Sequence, residues 1–287
     1  MHTPVLLQQV MHYLAPRAGE TYVDATFGAG GYSRAILQAG AHVIGIDRDP
    51  SAVEAAFADP NLTVKLGKFG DMADMVDQPV DGVVFDLGVS SMQIDNPKRG
   101  FSFQKDGPLD MRMGSSGRSA FDIVNKTRID ALADIIFHYG DERSARRIAR
   151  QIADSRPVHT TGQLADIVHR CFPRPKPGQI DSATRTFQAI RIAVNDELGQ
   201  LEKGLEASAK LLKPGGRLVV VSFHSLEDRI VKRFLQGEPG QSRHLPQAAT
   251  NARVLEILTK KPVHADEAEI AVNPRSRSAI LRAGVKI

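Results

Sequence analysis

The stretch from Thr21 to Pro50, TYVDATFGAGGYSRAILQAGAHVIGIDRDP, decides the fold. Tyr22-Val23 leads into a small-residue run, Gly28-Ala29-Gly30-Gly31, which opens onto a short amphipathic segment carrying Ile36 and Leu37. Gly40 ends that segment, and the apolar run from His42 to Ile46 closes on Asp47. The pattern predicts strand, glycine turn, helix and second strand, with a carboxylate at the second strand's C-terminal end. Glycines let backbone approach a ligand closely, and a helix N-terminus presents free N–H groups. A carboxylate about 20 residues past the first glycine can take both hydroxyls of a ribose. A ligand carrying a ribose is therefore expected here.

A strict G-x-G-x-x-G fingerprint fails at its third position, where this chain has Ser33. Asp24 also stands in the turn just before the glycines. A carboxylate there suits a cationic ligand and penalises a pyrophosphate: at about 4 Å two unit charges interact by roughly 1 kcal/mol in water and 4 at an effective dielectric of 20. The sign favours S-adenosylmethionine, with its ammonium and sulfonium, over NAD. The plainer alternative is that Asp24 caps the turn and Asp47 merely ends a strand.

Outward from this stretch, strands alternate with helices. Val5 to Leu14 has helical apolar spacing. Ser51 to Phe57 reads as a helix capped by Ser51, with Glu54 completing a capping box. Leu62 to Leu66 is a short strand followed by Lys68-Phe69-Gly70-Asp71, and Asp81 to Val89 is a buried strand carrying Asp86 near its end. Gly215-Gly216 turns into another buried strand, Arg217 to Phe223. This alternation predicts a mostly parallel sheet in a doubly wound α/β domain, whose ligands gather at the carboxyl ends of strands. Asp24, Asp47, Phe69 and Asp86 all fall there.

Far more residues separate the Asp86 strand from the Arg217 strand than one crossover needs. Gly107 to about Ile180 reads as an inserted helical lobe, leaving 1–106 and 181–287 to the sheet domain. Ile129, Leu132, Ile135 and Ile136 form one helical stripe ending at Gly140. Arg143, Arg146, Arg147 and Arg150 line one side of the next helix, opposite Ala145, Ile148 and Ile152. Charge on a helix face is commonly a solvated surface, but arginine forks without interleaved acids match phosphate oxygens. The proline-rich run from Cys171 to Gly178 cannot be helical and reads as a loop or hinge. Ser182 to Leu212 reads as one long helix returning the chain to the sheet.

The 287 residues carry a formal charge of +4, a mild bias that permits RNA binding without requiring it. Cys171 is the only cysteine, so an intrachain disulfide and a cysteine metal cluster are excluded. Met1 to Leu14 lacks a basic start followed by a long apolar run, and no segment approaches the roughly 20 apolar residues of a membrane span. A cytoplasmic protein without membrane partners is expected.

Seven stretches taken together are specific: DATFGAGGYS at 24–33, IDRDP at 46–50, FDLGVSSMQID at 85–95, RGFSFQKDGPLDMRM at 99–113, ATRTFQAIRIAVNDEL at 183–198, PGGRLVVVSFHSLEDRIVKRF at 214–234 and NPRSRSAILR at 273–282. They closely resemble the bacterial small-subunit ribosomal RNA cytosine-N4 methyltransferases (the RsmH or MraW family). The resemblance implies a Rossmann-like S-adenosylmethionine-dependent methyltransferase domain with an inserted helical domain, acting on a cytidine of the decoding region of 16S ribosomal RNA. It carries cofactor contacts onto Gly30, Gly31, Tyr32, Asp47, Phe69, Asp86 and Gln93. Two departures stand out: Tyr32 where a histidine is expected, and Met92 where proline is frequent.

A cytosine amine is a poor nucleophile because its lone pair is delocalised into the ring. Many amino-methyltransferases place an Asn/Asp-Pro-Pro-aromatic run after the fourth strand, whereas here the matching place reads Asp86-Leu87-Gly88-Val89-Ser90-Ser91. Asp86 is the candidate for gripping the amine or the cofactor's polar end; a strand-end aspartate capping a turn is the alternative. Phe101 and Phe103 could stack a base drawn out of its helix, or could anchor the loop in a core. His224, Glu227 and Asp228 suggest metal or acid–base work, but the spacing is met by a helix N-terminus with Ser225 as cap, and no metal is expected. Arg275 and Arg277 precede a final strand and read as surface charge or phosphate contacts. A nicotinamide oxidoreductase and a non-catalytic RNA-binding assembly factor remain the alternatives on residues alone.

Overall fold

The structure is a computed structural model and describes residues 4–173, 181–237 and 254–287. In chain order it forms α1 (Leu7–Leu14), β1 (Thr21–Asp24), α2 (Gly31–Gln38), β2 (His42–Asp47), α3 (Pro50–Glu54), β3 (Leu62–Leu66), α4 (Met72–Met75), β4 (Val80–Asp86) and α5 (Ser91–Asp95). Helices α6 (Ala120–Lys126), α7 (Ile129–Gly140), α8 (Ala145–Asp154), α9 (Thr161–His169), α10 (Ala183–Asn195) and α11 (Glu197–Leu211) follow. The chain ends with β5 (Leu212–Ser222), α12 (Ser225–Gln236), β6 (Leu255–Ile257), α13 (Glu267–Val272) and β7 (Ile280–Lys286).

Two compact units result, residues 1–88 with 198–287, and residues 89–197. The first contains the sheet, in the order β3-β2-β1-β4-β5-β7-β6. Strands β1 to β5 run parallel, while β7 is antiparallel to both β5 and β6. The chain steps outward from β1 to β3 on one side and from β4 to β5 on the other, so the order reverses between β1 and β4. This is the doubly wound, Rossmann-like α/β fold expected from the strand–helix alternation, and the reversal is where such sheets receive ligands. Period-two alternation sends Val83 and Phe85 into one apolar cluster with Leu201, Leu205 and Val220, and Val84 into the other with Tyr22, Val219 and Leu14. A strand buried on both faces must be apolar throughout, which is why VVF interrupts the polar alternation of an exposed sheet.

The second unit is helical, and its core draws Leu132 and Ile136 of α7, Ile148 and Ile152 of α8, Leu164 of α9 and Phe187 and Ile190 of α10. Its limits are wider than the 107–180 lobe read from the sequence. Phe101 and Phe103 pack against that core from one side of the expected boundary, and α10 belongs to it from the other. Residues 174–180, which include most of the expected proline-rich hinge, lie outside the described residues.

The single helix expected from Ser182 to Leu212 is two helices. Asp196 adopts a left-handed conformation (φ 50°) that ends α10, a conformation Asp tolerates better than most residues. Glu197 then takes the Arg191 guanidinium through both oxygens at 2.8 Å. The apolar spacing runs on through the break and hides it. Helix α3 also starts earlier than expected: Pro50 presets the first helical φ, so Asp49, not Ser51, is the cap and accepts the Ser51 N–H at 3.1 Å.

Candidate functional site

The glycine turn joins β1 to α2 and needs left-handed backbone at Gly28 (φ 52°) and Gly30 (φ 74°). A Cβ on Gly30 would lie 2.7 Å from Phe57 Cε1 and 2.9 Å from Phe27 Cζ, so no side chain fits there. Asp47, at the end of β2, receives the Gly28 N–H on Oδ2 and the Asp49 N–H on Oδ1, both at 2.8 Å. These bonds orient the carboxylate and leave lone pairs on each oxygen for further donors. Phe69 follows β3; its ring meets Phe85 edge-on at 5.4 Å between centroids and lies against Gly204 of α11, where a Cβ would strike it at 2.7 Å.

Asp24 ends β1 and Asp86 ends β4, on either side of the reversal in strand order. Asp24 is buried; it accepts the Ser33 hydroxyl at 2.7 Å and the Thr26 N–H at 3.4 Å. Burial pushes it up to about 6, against the lowering effect of those bonds and with the help of the Asp47 charge. Asp24 thus spends its carboxylate on bonds within the β1–α2 turn. The departure at Ser33 has its reason here: that hydroxyl ties α2 to β1. The Asp86 N–H is held by Thr26 Oγ1 at 2.6 Å, while Asp86 Oδ1 is buried with no hydrogen-bond partner among the described residues. Burial, then Asp24, then Glu227 push Asp86 up to about 8. Carboxylates gathered in a dry place without a cation resist ionisation, and a positively charged ligand would relieve them.

Tyr32 sits in the first turn of α2. Its side chain is buried and its hydroxyl donates to the Val5 carbonyl at 2.5 Å, so the ring is engaged by the N-terminal segment. Glu227 receives the Phe223 and His224 N–H groups on Oε2, at 2.8 and 3.2 Å. His224, not Ser225, is the cap of α12, its Nδ1 accepting the Glu227 N–H at 3.4 Å. An extended His224 backbone lets the imidazole do what the serine hydroxyl was expected to do. Asp228 grips Arg282 through both oxygens at 2.6 and 3.0 Å. Arg275 and Arg277 lie exposed on a 3-10 turn, Pro274–Ser278.

In the helical unit, Gln93 is buried and forms a capping box with Ser90, its Oε1 accepting the Ser90 N–H at 3.0 Å. Phe101 and Phe103 are half-buried against the unit's core, Phe103 meeting Phe187 at 4.8 Å between centroids. That packing supports the anchoring alternative. Arg146, Arg147 and Arg150 form the exposed face of α8, opposite buried Ala145, Ile148, Ala149 and Ile152. Arg143 is exposed too, but it lies in the turn before α8 and not on the helix, because α8 begins only at Ala145.

The model of the MraW methylase family matches residues 1–287. The chain belongs to the MraW methylase family. The Ribosomal RNA small subunit methyltransferase H of Cereibacter sphaeroides (strain ATCC 17025 / ATH 2.4.3) is 54% identical over 299 residues, covering 99% of this chain and 90% of that one. The protein of the same name in Paramagnetospirillum magneticum is 52% identical over 305 residues, covering 99% and 95%. Among solved structures, an rRNA methylase from Streptococcus thermophilus superposes with a TM-score of 0.46 at 11% identity, covering 100% of this chain and 99% of that one.

Membership in the MraW family makes the chain a methylase and removes the nicotinamide oxidoreductase alternative. For an MraW methylase, sequence reasoning missed the roles of Thr26, Ser33 and Glu227, which hold or perturb the strand-end acids. Ser33 carried a signal, as the position that broke the glycine fingerprint. Thr26 carried none, and Glu227 was visible only within the His224, Glu227 and Asp228 group, because what each does to Asp86 depends on elements distant in sequence.

Proposed function

We propose that this MraW methylase transfers a methyl group from S-adenosylmethionine to the exocyclic N4 amine of a cytidine in the decoding region of 16S ribosomal RNA. The observation that carries the reading is the buried Asp86 Oδ1 beside Asp24, with no hydrogen-bond partner among the described residues, a place where a carboxylate ionises readily only once a cation is bound. When bound, the donor supplies an electrophilic methyl on a positively charged sulfur. Asp47 would accept the ribose hydroxyls, the Gly28–Gly31 backbone would lie close along the donor, and Phe69 would flank its adenine. Asp86 would accept a hydrogen of the cytosine amine, drawing the lone pair out of the ring. Its affinity for protons, matched to neutral pH, lets it keep the proton afterwards. Such a substrate would bring the protein to the small ribosomal subunit in the cytoplasm. No helix among the described residues is long and apolar enough to cross a membrane.

Transfer of labelled methyl to small subunits from a strain lacking the enzyme, followed by nucleoside mass spectrometry, tests this directly. N4-methylated cytidine must appear at one position; label in another nucleoside or none at all rejects it. Asp47→Ala is expected to weaken S-adenosylmethionine binding by about 1.5–3 kcal/mol, the range for charged hydrogen bonds. Calorimetry showing an unchanged affinity would discard the ribose contact.

The arginine face of α8 is the proposed phosphate contact, because its forks are exposed and no acidic residue interrupts Arg143 to Arg150. Replacing Arg146, Arg147 and Arg150 with glutamine should lower RNA affinity and flatten its dependence on salt. The log–log slope should fall by about 0.7–0.9 for each phosphate no longer neutralised. An unchanged slope assigns these arginines to plain surface charge.

A further inference from the structure

We propose that Tyr32 and Glu269 fasten the N-terminal segment Pro4–Leu6 over the start of α2, making it a wall of the donor site that governs how fast the donor exchanges. The inference rests on the donor site proposed above and concerns residues that no strand-end argument reaches.

Three observations converge on this segment. Pro4 lies directly on Gly31, the first residue of α2: a Cβ there would run into Pro4 Cγ and sit 3.1 Å from Pro4 Cβ. The Val5 carbonyl accepts the Tyr32 hydroxyl at 2.5 Å, and the Leu6 N–H donates to Glu269 Oε1 at 2.7 Å. Leu6 holds a left-handed conformation (φ 51°, ψ 33°), which a leucine adopts only where its surroundings impose it. Its side chain is fully buried, and the two polar ties grip the C=O and N–H of one peptide unit, Val5–Leu6, just before the bend.

The ties are not needed merely to bury the N-terminus, because Val5, Leu6 and Val10 already lie inside an apolar cluster with Tyr22 and Ile36. Their common feature is position. Tyr32 follows Gly31 in the glycine turn's helix, and its ring feels the charges of Asp86, Asp24 and Glu269. Pro4 thus stands on the last glycine of the turn, and the peptide that follows it is held by one hydroxyl and one carboxylate from elements far apart in sequence. This also accounts for a tyrosine at the position where a histidine was expected: the phenol reaches the Val5 carbonyl. Tyr32 and Glu269 are positioning residues that act through the segment.

Tyr32→Phe removes one hydroxyl and keeps the ring, so the fold is retained. Glu269→Ala removes the acceptor, and Glu269→Gln keeps one. In Tyr32→Phe and Glu269→Ala, hydrogen exchange of the Leu6 amide should accelerate. Stopped-flow dissociation of S-adenosylmethionine should quicken by about fivefold, the size of one neutral hydrogen bond. Glu269→Gln should restore both. If the Leu6 amide loosens while donor release stays at the wild-type rate, the segment is structural only and the proposal falls. A wild-type protein that binds no S-adenosylmethionine overturns the donor reading beneath it, an outcome distinct from variants that bind as well as wild type.

Discussion

Asp86→Asn is expected to lower the rate of methyl transfer by about 10²–10³, within the range for losing a positioned proton acceptor, while making the donor-free protein more heat-resistant above pH 6. The two effects share one cause. Burial, Asp24 and Glu227 raise the folded-state pKa of Asp86 to about 8, whereas in the unfolded chain it titrates near the ordinary carboxylate value of about 4. Between those values the folded protein holds a proton that the unfolded chain has released. Stability from this group is therefore complete below about pH 4 and is lost as pH rises toward 8, with a slope of up to roughly 1.4 kcal/mol per pH unit. Asp24, at about 6, adds to the loss over the lower half of the window.

Asparagine keeps the shape of the protonated acid and cannot ionise, so the Asp86 share of that slope disappears. At pH 8 the gain over wild type should reach up to about 5 kcal/mol, that slope taken over about four pH units, and it should show as a higher melting temperature. At pH 4 the two proteins should melt together. Adding S-adenosylmethionine at pH 8 should reverse the order, since its positive charge stabilises ionised Asp86 and finds no anion in asparagine. Parallel melting curves from pH 4 to 8 would show that Asp86 is not held protonated by its surroundings, and an active Asp86→Asn enzyme would remove it from the chemistry.

The parts of this site that the sequence made legible are those written locally. Thr21 to Asp47 is contiguous, so its strand, glycine turn, helix and strand can be read from spacing alone, and Asp47 falls at the strand end that spacing predicts. Asp86 was legible for the same reason, as the first charge after VVF. What could not be read depends on register across the sheet. Nothing near Thr26 in sequence says that its hydroxyl meets the Asp86 backbone sixty residues on, and nothing near Glu269 says that it meets Leu6. Asp24 was read as facing a ligand because its position and charge are visible, whereas the Ser33 hydroxyl that holds it inward is a tertiary fact. Helix caps failed by one or two residues for a related reason: Asp49 and Ser51, or His224 and Ser225, are close candidates, and the backbone dihedrals of the preceding loop choose between them.

In the helical unit the largest stability effect is expected at Asn195, whose side chain substitutes for a missing strand. It is buried at the end of α10; its Nδ2 donates to the Met111 carbonyl at 2.7 Å and to the Arg191 carbonyl at 3.0 Å, and its Oδ1 accepts the Met113 N–H at 2.9 Å. These bonds hold the loop through Met111, a residue forced into positive φ (55°) with its side chain buried. No regular element among the described residues pairs with that loop there, so Asn195→Ala leaves the Met113 N–H and the Met111 carbonyl unsatisfied inside the protein. At about 1–3 kcal/mol for each group, the loss should reach roughly 3–5 kcal/mol. Asn195→Asp keeps the acceptor for Met113 and gives up the donor to Met111, so it should fall between alanine and wild type. Hydrogen exchange separates local from global damage: amides of α6, α7 and α10 should lose protection while those of β1, β2 and β4 keep theirs. A loss below about 1 kcal/mol in Asn195→Ala would mean that water replaces the amide without penalty, and that packing and the bonds to Arg99 suffice to hold the Met111 loop.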